Sequence, residues 1–300
     1  MKKPDFSEDL TVFVISMGEQ IAPTCLEALS EQSCHFRLDY IHNISPMSAA
    51  FQSMPDKCRT KYFVQVDADM VLENDAIERL YKALKQAPPW VYRVYGQLIE
   101  DGVGLSGAVK CWRRSTFRWL RFTDSRTVDR TFHRKASVFG LRMKKIDGGP
   151  LGTHRSRFDA FSDYLKSKSD LEKWQFLGRP FARYAEPHVN QILAEKNGFA
   201  LLGAALAVLT TTDRRNRSKH YHLEVIRLHE LLRVFDHRSL ESIKFNWENF
   251  DQELFLSTLS KCYSYDECSG IDEALLISKM LSDFLGEQKM SSKLMQIATL

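Results

Sequence analysis

Short runs of branched and aromatic residues alternate with segments whose apolar positions recur every three or four residues. Leu10 to Met17, LTVFVISM, is an apolar β-branched run and predicts a first buried strand. Gly18-Glu19 turns the chain, and residues 23–32 read as a helix with Cys25, Leu26 and Leu29 inward. Residues 36–41 alternate Phe36, Leu38 and Tyr40 against Arg37 and Asp39, which predicts a second, less buried strand. Ser45 is placed to cap a helix with Pro46 at its first position. Met47, Ala50, Phe51 and Met54 then fall at i, i+3, i+4 and i+7. Lys61 to Leu72, KYFVQVDADMVL, predicts a third strand. After it, Asn74 or Asp75 caps a helix carrying Ile77, Leu80, Tyr81 and Leu84, which Pro88-Pro89 ends. This β-α-β-α-β-α order predicts a right-handed, mostly parallel sheet with helices on its faces.

Residues 90–98 and 102–112 read as two more strands, and residues 123–134 as loop followed by helix. Residues 138–146 resemble a strand leading into Asp147-Gly148-Gly149-Pro150-Leu151-Gly152-Thr153-His154, a run of turn-formers able to approach a ligand closely. Beyond Arg155 the texture is helical, with candidates at 158–168, 187–196, 199–209, 221–235 and in several shorter pieces from 251 to 300. Arg214 to Arg217 reads as a hinge or loop. An α/β domain over residues 1–155 and a mainly helical region over 156–300 are therefore expected, the latter binding an acceptor or building an oligomer.

Composition changes this picture little, with 44% hydrophobic and 27% charged residues. The net charge of +4 is small but uneven. From Lys110 to Lys145 there are twelve Lys or Arg against Asp124 and Asp129, and from Ser239 to Gln288 ten acids against three Lys. A basic centre suits an anionic substrate, or is a solvated face. Six cysteines without a Cys-x-x-Cys pair, and no signal peptide, read as reduced thiols in a cytoplasmic protein. The longest apolar run, residues 199–209, is too short for a membrane span, which needs about 20 residues. Peripheral contact with the inner face of a membrane stays open.

The third strand stops on two carboxylates, Asp67 and Asp69. Neither belongs inside a strand buried on both faces, because an unpaired buried charge is costly. They fit the strand's carboxyl end, where a parallel sheet opens its crevice. An Asp-x-Asp pair there can hold a hard divalent cation and, through it, a diphosphate. The competing reading is an acidic loop that caps the next helix.

Taken together, TVFVISMGEQIAPTCLEALSEQS, YIHNISPMSAAFQSM and KYFVQVDADMVL resemble the opening of a family 2 glycosyltransferase of the GT-A fold, over roughly residues 10 to 155. The resemblance implies a Rossmann-like sheet and a metal-dependent, inverting transfer from a nucleotide sugar to a glycan, lipid-linked or other glycoconjugate acceptor, as in polysaccharide biosynthesis. It implies that Asp67, Asp69 and His154 hold Mn²⁺ or Mg²⁺, that Asp129 is the catalytic base, and that Ser16, Glu19, Asn43, Asp67 and Ala68 face the donor. Two positions depart from the pattern. His42-Asn43 stands where an acid often reads the base, so uridine is not implied, and Val128 stands where Glu usually precedes the catalytic Asp.

Other readings stay beside this one. His154 is otherwise a loop histidine, and Asp129 a surface partner of Arg126 or Arg130. Trp112 with Arg113-Arg114 lines an acceptor or phosphate site, or merely flanks a strand. His220, His222, His229 and His237 read as part of a helix whose core face is Leu223, Ile226, Leu231 and Val234, rather than as a metal cluster. A sugar-phosphate nucleotidyltransferase would carry a basic, Gly-rich signature after the first strand, which Ser16-Met17-Gly18-Glu19 lacks. A non-catalytic module using the basic centre for nucleic acid would show a recognisable motif there, and no nucleic-acid partner is expected.

Overall fold

The structure, a computed structural model, describes residues 2–100, 104–125, 127–156, 159–209, 243–263 and 271–286. The expected helix over 221–235, the hinge at 214–217 and His220, His222, His229 and His237 lie outside these residues. The described residues divide into two compact units, one over the residues up to 156 and one over those from Asp159 on.

The first unit runs β1 (Leu10–Ser16), α1 (Ala22–Ser30), β2 (Arg37–His42), α2 (Met47–Lys57), β3 (Tyr62–Asp67), β4 (Met70–Leu72), α3 (Ala76–Gln86), β5 (Val91–Glu100), β6 (Gly104–Arg113), α4 (Val128–Val138), β7 (Arg142–Lys145) and β8 (Gly152–His154). Its sheet has the order β2-β1-β3-β6-β5-β8-β4, with β7 also on β5. β1 pairs in parallel with β2 and β3, as β5 does with β7 and β8, while β3–β6, β5–β6 and β4–β8 are antiparallel. Strand alternation splits the apolar residues between two cores. Val12, Val14, Val64, Val66 and Cys111 pack with α1 and α3. Phe13, Phe63, Tyr92 and Trp112 pack with α2 and α4. The product is an α/β sheet with helices on both faces.

Three local expectations change. The α2 cap residue is Pro46 rather than Ser45, with no side-chain cap bond. Residues 138–141 are not strand: α4 runs to Val138, and Gly140 at φ 73° turns the chain into a β7 of only four residues. Periodicity misled there because Val138 and Phe139, apolar as a strand's residues would be, are exposed on a helix end. Met70–Leu72, read as the tail of the third strand, is a separate strand, β4, after a turn at Ala68-Asp69.

In the second unit the described helices are α5 (Ala160–Phe176), α6 (Phe181–Ala194), α7 (Gly198–Leu209), α8 (Gln252–Tyr263) and α9 (Ile271–Leu285). Pro187, expected to open a helix, lies inside α6. The apolar run of 199–209 is α7, the centre of one hydrophobic core. A Cβ on Gly203 would lie 2.2 Å from the Tyr164 carbonyl oxygen, so glycine is what lets α7 approach α5 this closely. Among the described residues no helix is long and apolar enough to cross a membrane.

Candidate active site

The carboxyl ends of β1, β2 and β3 converge on one crevice. Ile15 pairs with Asp67 across the β1–β3 ladder, and the Ala68 N–H donates to the Ile15 carbonyl at 2.9 Å. From β2, the Asn43 N–H donates to the Ser16 carbonyl at 2.9 Å, with Asn43 at φ 56°, a left-handed conformation Asn tolerates. The turn after β1 is closed by its own side chains. Glu19 Oε2 accepts from Ser16 Oγ at 2.7 Å and from the Met17 N–H at 2.8 Å, and the Gly18 N–H donates to Ser16 Oγ at 3.0 Å. Ser16, Asn43, Asp67 and Ala68 are thus brought together, and Glu19 orders the loop between them.

Asp67 ends β3 on the face shared by Phe63 and Gln65, and its carboxylate lies 3.4 Å from the Gln65 amide nitrogen. Burial, and then the neighbouring Asp69 carboxylate, hold its pKa above the usual carboxylate range against the pull of Lys110 and His154. Below them lies the buried Cys25 thiol. Its pKa is pushed up to about 12 by burial and by Asp69, Asp67 and Glu19, so it stays protonated. Three carboxylates therefore crowd one small volume.

His154 reaches the crevice from β8, which lies antiparallel to β4 with Met70 opposite His154. Its Nε2 is 3.1 Å from Asp69 Oδ2, and its Nδ1 is 3.7 Å from Glu100 Oε1. The histidine expected on a loop is on a short strand, held between two acids. Among the described residues no group of three or more His, Cys, Asp or Glu side chains stands in ligand geometry. His154 Nε2 is engaged by Asp69, while Glu100 stands beyond hydrogen-bond distance of Nδ1. The donor set nonetheless suits a hard or borderline cation, with carboxylates in mutual repulsion that positive charge would relieve and an imidazole beside them.

Asp129 stands apart from this cluster. It lies in the first turn of α4, in an ion pair with Lys110 and with Arg93 Nη1 3.9 Å away. Its partners come from β5 and β6, not from Arg130 in its own helix; Arg126 lies outside the described residues. Burial alone would raise its pKa, but Lys110 and Arg93 outweigh burial and hold it below its ordinary value of 3.8. Lys110, opposite Gln65 in the β3–β6 ladder, is felt by both Asp67 and Asp129 and so bridges the two acids electrostatically. Sequence reasoning missed it. The signal was the alternation in β6, where Lys110 and Trp112 share a face. Glu100, the second acid against His154, carried no sequence signal.

The lowered Asp129 pKa has a stability consequence. Below pH 3.8 the unfolded chain binds a proton that the folded one resists, so the ion pair stabilises the fold at neutral pH and fades as pH falls below that value. Asp129→Asn is expected to cost about 1–3 kcal/mol at pH 7, chiefly by leaving the nearly buried Lys110 ammonium without its counter-charge. Denaturant titrations of both proteins should show that difference shrinking below about pH 4. A pH-independent difference would refute the assignment.

No family model matches the sequence, and no curated protein does. Solved structures with a similar chain course include a mannosyltransferase, PcManGT, from Pyrobaculum calidifontis in complex with GDP-Man and Mn²⁺. It is 15% identical over 88% of this chain and 90% of its own, with a TM-score of 0.44. S. aureus TarS in complex with UDP-GlcNAc is 10% identical over 93% and 92%, with a TM-score of 0.43. A 4-diphosphocytidyl-2C-methyl-D-erythritol synthase from Anaerococcus prevotii is 8% identical over 47% and 89%, with a TM-score of 0.33.

Proposed function

We propose that this chain is a metal-dependent, inverting glycosyltransferase that moves a sugar from a nucleoside-diphosphate sugar to a hydroxyl of a glycan or glycoconjugate. The observation that carries the reading is the convergence of Asp67, Asp69 and His154 at the carboxyl ends of β1 to β3, with like-charged carboxylates pressed together. Such a cluster is disfavoured as a core device and suited to gripping positive charge. A divalent cation held by Asp67, Asp69 and His154 would supply Lewis acidity to the leaving diphosphate.

The chain's own groups have the remaining tasks. Ser16 and Asn43, at the ends of β1 and β2, offer polar walls for the nucleoside, and Glu19 holds the loop that shapes them. Ala68 keeps the floor between the two acids small and buried. Asp129 is the base: kept ionised by Lys110 and Arg93, it is in the form that can take the acceptor's proton. The acceptor oxygen bonds to the anomeric carbon as the bond to the diphosphate oxygen breaks on the opposite face. The same cations lower the affinity of Asp129 for that proton, so Asp129 must loosen from Lys110 as the acceptor binds.

A nucleotidyltransferase is the weaker reading, since the loop after β1 is closed by an acid, Glu19, where such an enzyme needs basic groups. The deciding experiment is a thermal-shift series with UDP, GDP, CDP and ADP, each with and without Mn²⁺. One diphosphate alone, and only with metal, is expected to raise the midpoint, a hundredfold excess over Kd stabilising by about 2.7 kcal/mol. Equal shifts without metal, or none, would overturn the proposal.

A further inference from the structure

We propose that the end of the sheet opposite Asp67 and Asp69 docks on an anionic phospholipid bilayer. The ladders place Tyr62, which opens β3, opposite Arg113, which closes β6, and Val91, which opens β5, beside Arg142, which opens β7. These four residues mark one end of the sheet, and the acid pair lies at the other end of β3.

Large apolar side chains stand in solvent at this end. Trp119 is 86% exposed, Val138 82%, Phe139 68% and Trp90 55%. Trp119 follows the 3₁₀ turn Arg114–Arg118 that continues β6. Val138 and Phe139 end α4, and the turn after them delivers the Arg142 N–H to the Trp90 carbonyl at 2.8 Å. Isolated exposed apolar residues need no explanation, but four on one end of a domain mark a contact surface.

Charge says what the surface contacts. A cavity of about 590 Å³ at this end is lined by Arg59, Lys61, Arg113, Arg114 and Arg118 with one acid, Asp56. Asp56 pairs with Arg121 at 3.0 Å, and Lys61 with Asp9 at 2.9 Å. Arg113 is spent on the carbonyls of Val91, Leu84 and Ala87. Among the described residues Arg59, Arg114 and Arg118 have no ion-pair partner and face an open cavity. On β7, Arg142 and Lys144 are exposed as well.

A soluble phosphate would use the arginines and leave the apolar residues unexplained. Nucleic acid could stack on the tryptophans but gains nothing from Val138 and Phe139. A bilayer with acidic headgroups uses both, because Trp and Phe settle at the headgroup–acyl boundary while cations meet phosphate. The inference rests on this surface alone and does not depend on the chemistry proposed for the acid pair.

The test is co-sedimentation of the full chain with vesicles of phosphatidylcholine alone and with about 30% phosphatidylglycerol, at low and high salt. Binding to the anionic vesicles is expected to exceed binding to the neutral ones by at least about tenfold and to fall as salt rises. Trp119→Ser with Phe139→Ser, both at exposed positions, is expected to weaken it about tenfold with an unchanged melting midpoint. Arg114→Gln with Arg118→Gln should weaken it and flatten the salt dependence, and excess inorganic tripolyphosphate should fail to strip bound protein. Equal partition to both vesicle types would overturn the proposal. So would full binding by the Trp119/Phe139 variant, which means a general electrostatic surface, or complete release by tripolyphosphate, which means a soluble-anion site.

Discussion

Asp67→Ala and Asp69→Ala are each expected to reduce sugar transfer by about three orders of magnitude or more while leaving the fold intact. The two halves of that expectation have one cause. Asp67 carries a proton affinity raised by burial and by Asp69, so in the folded protein its negative charge is a cost, not a support. Among the described residues its side-chain hydrogen bond is to Gln65, which at 3.4 Å is too long to contribute much. Removing it relieves repulsion, and the melting midpoint of Asp67→Ala should equal or exceed that of the parent. Asp69 accepts from His154, and losing that bond costs about 1 kcal/mol. Initial rates with a matched donor, read beside circular dichroism and thermal melts, decide the matter. Retained turnover in either variant would remove the pair from the chemistry, and unfolding would make it part of the core.

Gly152→Ala is expected to be the most damaging single methyl in the sheet unit. Gly152 sits at φ 147°, and an added Cβ would lie 2.2 Å from the Val71 carbonyl oxygen and 2.8 Å from the Leu72 Cα. Those are backbone atoms of β4, paired with β8 at Leu72–Gly152 and Met70–His154, so they cannot turn aside as a side chain would. The strands must part, and His154 moves away from Asp69. A stability loss of about 2 kcal/mol or more is expected, with loss of transfer beyond what stability explains. Gly149→Ala is the control. It has a positive φ of 85° but nothing within 4 Å of its Cβ, so only the backbone strain of about 1 kcal/mol applies. Denaturant midpoints and rates for both variants test the contrast. A Gly152→Ala protein as stable and active as the Gly149→Ala one would refute the account.

Several site features were legible in the chain. The third strand ends at Asp67, as its apolar run and the cost of burying charge required. The glycines of 148–152 take positive φ as a close-approach loop needs, and they carry His154 to the acids. Asp129 shows where such reading stops. Its sequence neighbours suggested Arg126 or Arg130, yet its partners are Lys110 and Arg93, 19 and 36 residues upstream on other strands. The surface at Trp90, Trp119 and Phe139 was equally hidden, since hydrophobic pattern assigns apolar residues to a core by default.

What the sequence determined by itself was local: most of the strands and helices, the apolar face of each, and a carboxylate at the end of β3 with a second in the turn after it. Those follow from side-chain periodicity and desolvation, which act within a few residues. Only the tertiary structure decided that β6 enters beside β3 antiparallel, that Lys110 therefore stands between Asp67 and Asp129, and that His154 is caught between Asp69 and Glu100. Electrostatic partnership depends on distance in space, and distance in space is set by strand order and register, which no local pattern encodes.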